Sequence, residues 1–260
     1  MQLKQLAASV ALVAAASSSF ATTVQGSSLQ DILNGLYTCG TCAGTAAAPN
    51  VNTSQTDEVG KFEIEASGGS VATMVIEVAG NANTNTFGIY DVNDASNYLE
   101  LFSGPAGQGY RSTLLVTVIN GSYQFTATVY NQLAQPVSFA YKTFSSATFG
   151  YYLGTGIGPS FYSEAGKNAN EYDHMVAFQG DGDKIQVPGG IPSEWGRSSY
   201  ILAWEDLPLG SSDQDYDDMV VYVESVTPVP EPASLALLGL GLAGMAAASR
   251  RKQKQKQKQA

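Results

Sequence analysis

From residue 60 onward, apolar positions recur in short runs separated by Gly, Asn, Ser and Pro. KFEIEAS alternates Phe62 and Ile64 with Lys61, Glu63 and Glu65, the two-residue period of a half-buried strand. VATMVIEVAG, NTFGIYDV, NYLELFS, STLLVTVIN, SYQFTATVY and VSFAYKTF follow in the same style. TFGYYLGT, EYDHMVAFQG, DKIQVP, SYILAWEDL and DMVVYVESV continue it. No helical period interrupts them between residues 60 and 227. Ten or more short strands joined by tight turns predict an all-β domain over 60–227, an antiparallel β-sandwich of jelly-roll type. Upstream, over 22–59, Leu29, Ile32, Leu33 and Leu36 stand at helical spacing, so SSLQDILNGLY predicts one short amphipathic helix capped by Ser27 or Ser28. The polar AAAPNVNTSQTDE stretch after it reads as loop.

The two ends follow different rules. Residues 1–21 carry Lys4, an apolar run from Leu6 to Ala16 and a small-x-small site at Ser19-Phe20-Ala21, the pattern of a secretory signal peptide. That predicts passage through the Sec translocon and cleavage by signal peptidase. At the other end, Pro228, Pro230, Glu231 and Pro232 precede an apolar stretch from Ala233 to Ala248, and Arg250, Arg251 and Lys252 follow. As a hydrophobic helix, the sixteen residues span about 24 Å, short of the ~30 Å hydrocarbon core. Snorkelling arginines and local thinning make a marginal, transient membrane anchor feasible, with the basic end inside and the preceding chain outside. The KQKQKQKQ run in 253–260 cannot bury a core and reads as a disordered tail.

Taking the ends away changes the charge. The whole chain stands at −10, but seven of its thirteen basic residues are Lys4 and the six from Arg250 onward. Between residues 22 and 230, six basic residues face 22 acidic ones, a net of −16. That sign excludes nucleic acid as a partner and favours cations. Cys39 and Cys42, in YTCGTCAG, predict a local disulfide in an exported chain. The alternative, a redox C-x-x-C, lacks the helix that such a site uses, and zinc lacks ligands, since His174 is the only histidine.

The densest chemistry lies in AWEDLPLGSSDQDYDDMVVYV. Glu205 and Asp206 end one strand, a Pro-Gly-Ser turn follows, and Asp213, Asp215, Asp217 and Asp218 lead into the next strand. Two readings fit. Alternating aspartates bring carboxylates together, and Ca2+ takes six to eight such oxygens. The loop could equally be a solvated acidic hairpin that keeps an edge strand soluble. The spacing lacks the Gly and Glu of an EF-hand. Asp173 joins the calcium reading if its strand neighbours the one after Asp217, because Asp173-His174-Met175-Val176 echoes Asp217-Asp218-Met219-Val220. Tyr90–Asp94 is a weaker cation candidate that ordinary turn chemistry explains as well, and Asp181-Gly182-Asp183 reads as a hairpin turn. Catalysis is disfavoured: no G-x-S-x-G motif accompanies the lone histidine, and the acids are clustered rather than paired at glycosidase distance. Tyr151, Tyr152, Phe161, Tyr162, Trp195 and Trp204 predict mostly core, with sugar stacking open to any that are exposed.

VPVPEPASLALLGLGLAGMAAASRRK resembles a PEP-CTERM sorting signal over 228–252: the motif Val229, Pro230, Glu231, Pro232, then the helix, then Arg250 and Arg251. The resemblance implies recognition by an exosortase in a Gram-negative bacterium that makes exopolysaccharide. It further implies processing near the motif and delivery from the inner membrane to the cell surface or matrix. The body resembles an exported β domain often found before such tails, through Glu205-Asp206-Leu207 and the D-x-D-x-D-D-M-V-V segment ending at Val221. Together these predict a non-enzymatic, calcium-stabilised structural or adhesive protein of biofilm or matrix. A carbohydrate-binding module is the alternative, and an extracellular hydrolase a distant third.

Overall fold

The computed structural model describes residues 22–38, 47–56, 59–65, 69–77, 83–103, 105–156 and 158–230. The segment read as a signal peptide, the two cysteines, and the sorting signal from Glu231 through Arg250 and Arg251 to the tail lie outside these residues. Among the described residues no helix is long and apolar enough to cross a membrane.

The chain forms antiparallel β-sheets with little helix. The first half supplies β1 (Phe62–Ile64), β2 (Ser70–Glu77), β3 (Thr86–Asp91), β4 (Asp94–Phe102), β5 (Arg111–Ile119), β6 (Ser122–Tyr130) and β7 (Pro136–Phe144). The second supplies β8 (Phe149–Gly154), β9 (Phe161–Tyr162), β10 (Met175–Gln179), β11 (Lys184–Ile185), β12 (Ser193–Glu194), β13 (Ser199–Trp204), β14 (Met219–Glu224) and β15 (Val226–Pro228). One sheet runs β15-β1-β8-β3-β4, with β9 paired to β8, and the larger runs β10-β13-β14-β2-β5-β6-β7. Strands β11 and β12 form a separate ribbon.

The two large sheets share one hydrophobic core. Phe62 meets Tyr200 with ring centroids 5.8 Å apart, Phe87 meets Trp204 at 6.1 Å, and Phe125 meets Phe149 at 5.5 Å. Such edge-on aromatic pairs each contribute on the order of 0.5–1.5 kcal/mol beyond the area they bury. Hairpins join β3 to β4, β5 to β6 to β7, and β13 to β14 within a single sheet. This differs from the sheet-to-sheet alternation expected of a jelly roll. Between β3 and β4 and between β5 and β6, the connections Val92-Asn93 and Asn120-Gly121 are long enough only for a hairpin.

The N-terminal helix, α1 (Ser28–Leu36), forms where its apolar spacing places it. Ser27 occupies the cap position, but its hydroxyl makes no capping bond. Leu29, Leu33 and Leu36 pack on the outer side of the large sheet, in one cluster with Val176, Phe178, Ile201, Ala203, Val220 and Tyr222. Strands β10, β13 and β14 are therefore buried on both faces, which is why MVAF, YILAW and MVVYV read as continuous apolar runs.

Close strand packing makes Gly88 a sharp constraint. A Cβ there would lie 2.3 Å from the Leu99 carbonyl oxygen and 2.9 Å from Glu100 Cα, both backbone atoms that cannot swing aside. Gly88→Ala is expected to destabilise the protein by about 1–3 kcal/mol. An unchanged urea midpoint would contradict that close approach.

Candidate cation site

The acidic loop joins β13 to β14, whose last paired residues are Trp204 and Met219. Glu205 and Asp206 thus stand across a hairpin from Asp217 and Asp218, as their sequence positions predict. A turn centred on Pro208, whose carbonyl accepts from the Ser211 and Ser212 amides at 2.8 and 3.0 Å, reverses the chain. Beyond it, Gln214 (φ 61°) and Tyr216 (φ 55°) adopt left-handed backbone conformations, alternating with Asp213, Asp215 and Asp217. Left-handed residues at alternate positions curl the segment instead of letting it run straight. The strain, typically 1–3 kcal/mol per residue, persists only where surrounding contacts enforce it.

Those contacts are specific. Glu205 has no exposed surface, and its two oxygens accept from the Leu207 amide (3.1 Å) and the Gln214 amide (3.0 Å). Asp218 Oδ2 accepts from the Asp206 amide at 2.8 Å, and Asp215 Oδ1 from the Asp217 amide at 3.3 Å. The Tyr216 hydroxyl, buried, donates to the Asp173 carbonyl at 2.6 Å and fixes the loop to the start of β10. From the N-terminal segment, the Gln25 amide donates to the Gln214 carbonyl at 2.8 Å.

Carboxylates converge as a result. Oxygens of Glu205, Asp213 and Asp215 lie within 4.8 Å of one another, as do those of Glu205, Asp206 and Asp218, and those of Asp215, Asp217 and Asp218. Burial pushes the Asp218 carboxyl up to about 8, reinforced by the charges of Asp206, Glu205 and Asp215 and offset in part by the Asp206 amide. Burial, then Asp217 and Asp213, pushes Asp215 up to about 6. Glu205 is raised chiefly by burial. The ion pairs at Lys61–Glu164 and Lys167–Glu164 lie elsewhere. Such a cluster disfavours its own ionised form until a hard cation enters, and oxygens of this number and spacing suit Ca2+.

One expected participant is placed differently. Asp173 is beside the loop, but its carboxylate accepts from Thr22 Oγ1 (3.1 Å) and the Met175 amide (3.2 Å), and it belongs to none of the three triads. The reason is strand order: β10 pairs with β13, which stands between it and β14. His174 is buried, stacked on Phe161 with centroids 3.8 Å apart, and its Nδ1 shares a 3.0 Å hydrogen bond with the Glu205 carbonyl. Burial lowers its pKa, so it is a neutral packing residue.

The turn readings divide. Asp91 makes an ordinary turn, accepting from the Asn93 amide and from Ser145. Asp181–Asp183 turns out of β10 but does not close a hairpin, since β11 pairs with β12. Sequence reasoning missed Asn85. This residue is fully buried, donates from Nδ2 to Asp206 Oδ2 at 2.9 Å, and has an Oδ1 without a hydrogen-bond partner. Within NANTNTF it looks like any loop asparagine.

Comparison with known proteins places two matches on the chain. Residues 119–226 match a domain of unknown function, DUF4114, and residues 228–252 match the PEP-CTERM protein-sorting motif. No curated protein and no solved structure matches the chain. The first match contains the whole acidic loop but begins at the end of β5, so both large sheets also draw on strands that precede it. The second marks an exported chain that an exosortase processes from a membrane-anchored sorting signal.

Proposed function

We propose that this exosortase-processed protein carries a calcium-stabilised β-sandwich and serves as a structural or adhesive component of the cell surface or extracellular matrix, in biofilm or exopolysaccharide. One observation carries the reading: Glu205, Asp206, Asp213, Asp215, Asp217 and Asp218 converge in interlocking triads with Glu205 wholly buried. A solvated hairpin has no need to bury a carboxylate. Asn85, fully buried, donates from Nδ2 to Asp206 Oδ2 and helps hold that carboxylate in place.

A hydrolase is the poorer fit. Within each triad the carboxylate oxygens lie within 4.8 Å, closer than the ~5–9 Å separation at which a glycosidase acid and its partner work. The lone histidine is held in a stack.

Terbium binding tests the reading directly. Trp204 and Tyr216 stand next to the ligand residues in sequence and can sensitise Tb3+ emission. Excitation of the aromatic residues is expected to give strong Tb3+ luminescence that Ca2+ displaces and that Asp215→Asn abolishes. Luminescence no greater than that of free Tb3+ would remove calcium from the function.

A further inference from the structure

Charge is segregated along this chain. Residues 101–163 contain no Asp or Glu, and their only charged side chains are Arg111 and Lys142, inside a body of net −16. This acid-free stretch builds β5, β6 and β7, the outer end of the seven-stranded sheet. There the burial pattern fails: β7, the terminal strand, is exposed along nearly all its length on both faces.

The exposed residues are apolar. Phe139 is 66% exposed, Tyr141 61% and Val137 52%. The register Leu115↔Thr126↔Tyr141 and Thr113↔Thr128↔Phe139 places Tyr141 and Phe139 with Leu115 on one threonine-lined face, while Val137 is the residue skipped at the bulge. Edge strands usually carry charge, proline or a bulge against pairing. Here Pro136, the bulge at Val137 opposite Val129/Tyr130 and Lys142 guard only the two ends, leaving Ser138–Tyr141 open.

We infer that β7 is the interface for a second copy of this chain, paired antiparallel across a two-fold axis into one continuous sheet. An antiparallel edge is self-complementary, so a two-fold satisfies both copies at once. Electrostatics favours this edge: two bodies of −16 repel, and β5, β6 and β7 carry no acid of their own, while Asp94 and Glu100 lie on β4 of the other sheet, which packs beside β6 and β7. The guarded ends limit the pairing to a short, finite segment. An anionic glycan is a poorer occupant, because Arg111 and Lys142 point to opposite sides of the sheet and form no basic patch. This inference is independent of the calcium reading.

Sedimentation velocity of the full-length chain in mild detergent tests it, with Phe139→Glu and Tyr141→Glu compared against Ile191→Glu, an exposed apolar site outside this sheet that leaves the same termini in place. The wild type is expected to dimerise below about 100 μM and more tightly as salt rises from about 50 to 300 mM. Each acidic substitution on β7 is expected to raise the dimer dissociation constant at least tenfold at an unchanged melting temperature, while Ile191→Glu leaves it unchanged. A wild type that stays monomeric, or an equal effect of Ile191→Glu, overturns the inference. So does a monomer that binds a neutral glucan column through Phe139, which would make the face a glycan platform. Should one β7 variant unfold, the other carries the comparison.

Discussion

Removing calcium is expected to lower the midpoint of thermal unfolding by about 10 °C at pH 8. At millimolar calcium and a micromolar dissociation constant, ligand binding contributes about 4 kcal/mol, and each kcal/mol moves a domain of this size by roughly 2–4 °C. Proton linkage then separates the two forms. In the metal-free protein the Asp218 and Asp215 carboxyls are held up at about 8 and about 6 by burial and neighbouring charge, above the usual aspartate value. The folded state therefore retains protons that the unfolded chain gives up. The associated stability is complete below about pH 4 and is lost as pH rises towards 8. Metal-free protein should melt higher at pH 5.5 than at pH 8, whereas calcium affinity should rise over that interval because the ligands must be deprotonated. Calorimetry with and without calcium at both pH values measures this, and coincident melting curves would end the calcium claim.

Asp218→Asn should act with opposite sign in the two forms. The amide oxygen can still accept from the Asp206 N–H, as Asp218 Oδ2 does at 2.8 Å. Its NH2 group then faces Glu205, Asp206 and Asp215. Without metal, a donor replaces a repelling charge, and the melting temperature at pH 8 should rise by several degrees, about 1 kcal/mol or more. With metal, a ligand is lost and a donor points at the ion, so calcium affinity should fall about 100-fold, near 2.7 kcal/mol. Melting curves of the metal-free variant and calcium titration of both proteins provide the comparison. A variant destabilised equally in both forms would make Asp218 a structural residue and nothing more.

Strand positions were legible because each run is bounded by Gly, Asn, Ser or Pro and because alternation is a local property. Every run singled out between Lys61 and Val226 contains a strand. Partnership was not legible. Nothing local says that β2 lies between β14 and β5, or that β1 pairs with β15. The helix at Ser28–Leu36 was evident from spacing, but its seat on the outer side of β10, β13 and β14 was encoded only in the continuous runs of those strands. At the site, the hairpin geometry was readable because Glu205 and Asp218 bracket one loop. Asp173 was misplaced because an echo between Asp173-His174-Met175 and Asp217-Asp218-Met219 says nothing about strand order. The named aromatics Tyr151, Tyr152, Trp195 and Trp204 are core, while Phe139 and Tyr141 stand in solvent. A two-residue alternation cannot tell an inward face from an outward one once a sheet extends beyond its core.

The pairing of β15 with β1 governs when this protein can finish folding. Val226–Pro228 add to the edge of the smaller sheet, and the Val229 amide donates to the Lys61 carbonyl at 2.9 Å. The last strand thus closes against the first, only four residues before the apolar stretch that begins at Ala233. Those four residues reach at most about 14 Å. In an exported chain that emerges N-terminus first, β1 has no partner in β15 until almost the whole sequence is out. Pairing over so long a separation is slow. The sorting signal is membrane-anchored and exosortase-processed, so the closing pair β15–β1 lies directly beside the segment that anchors and is processed.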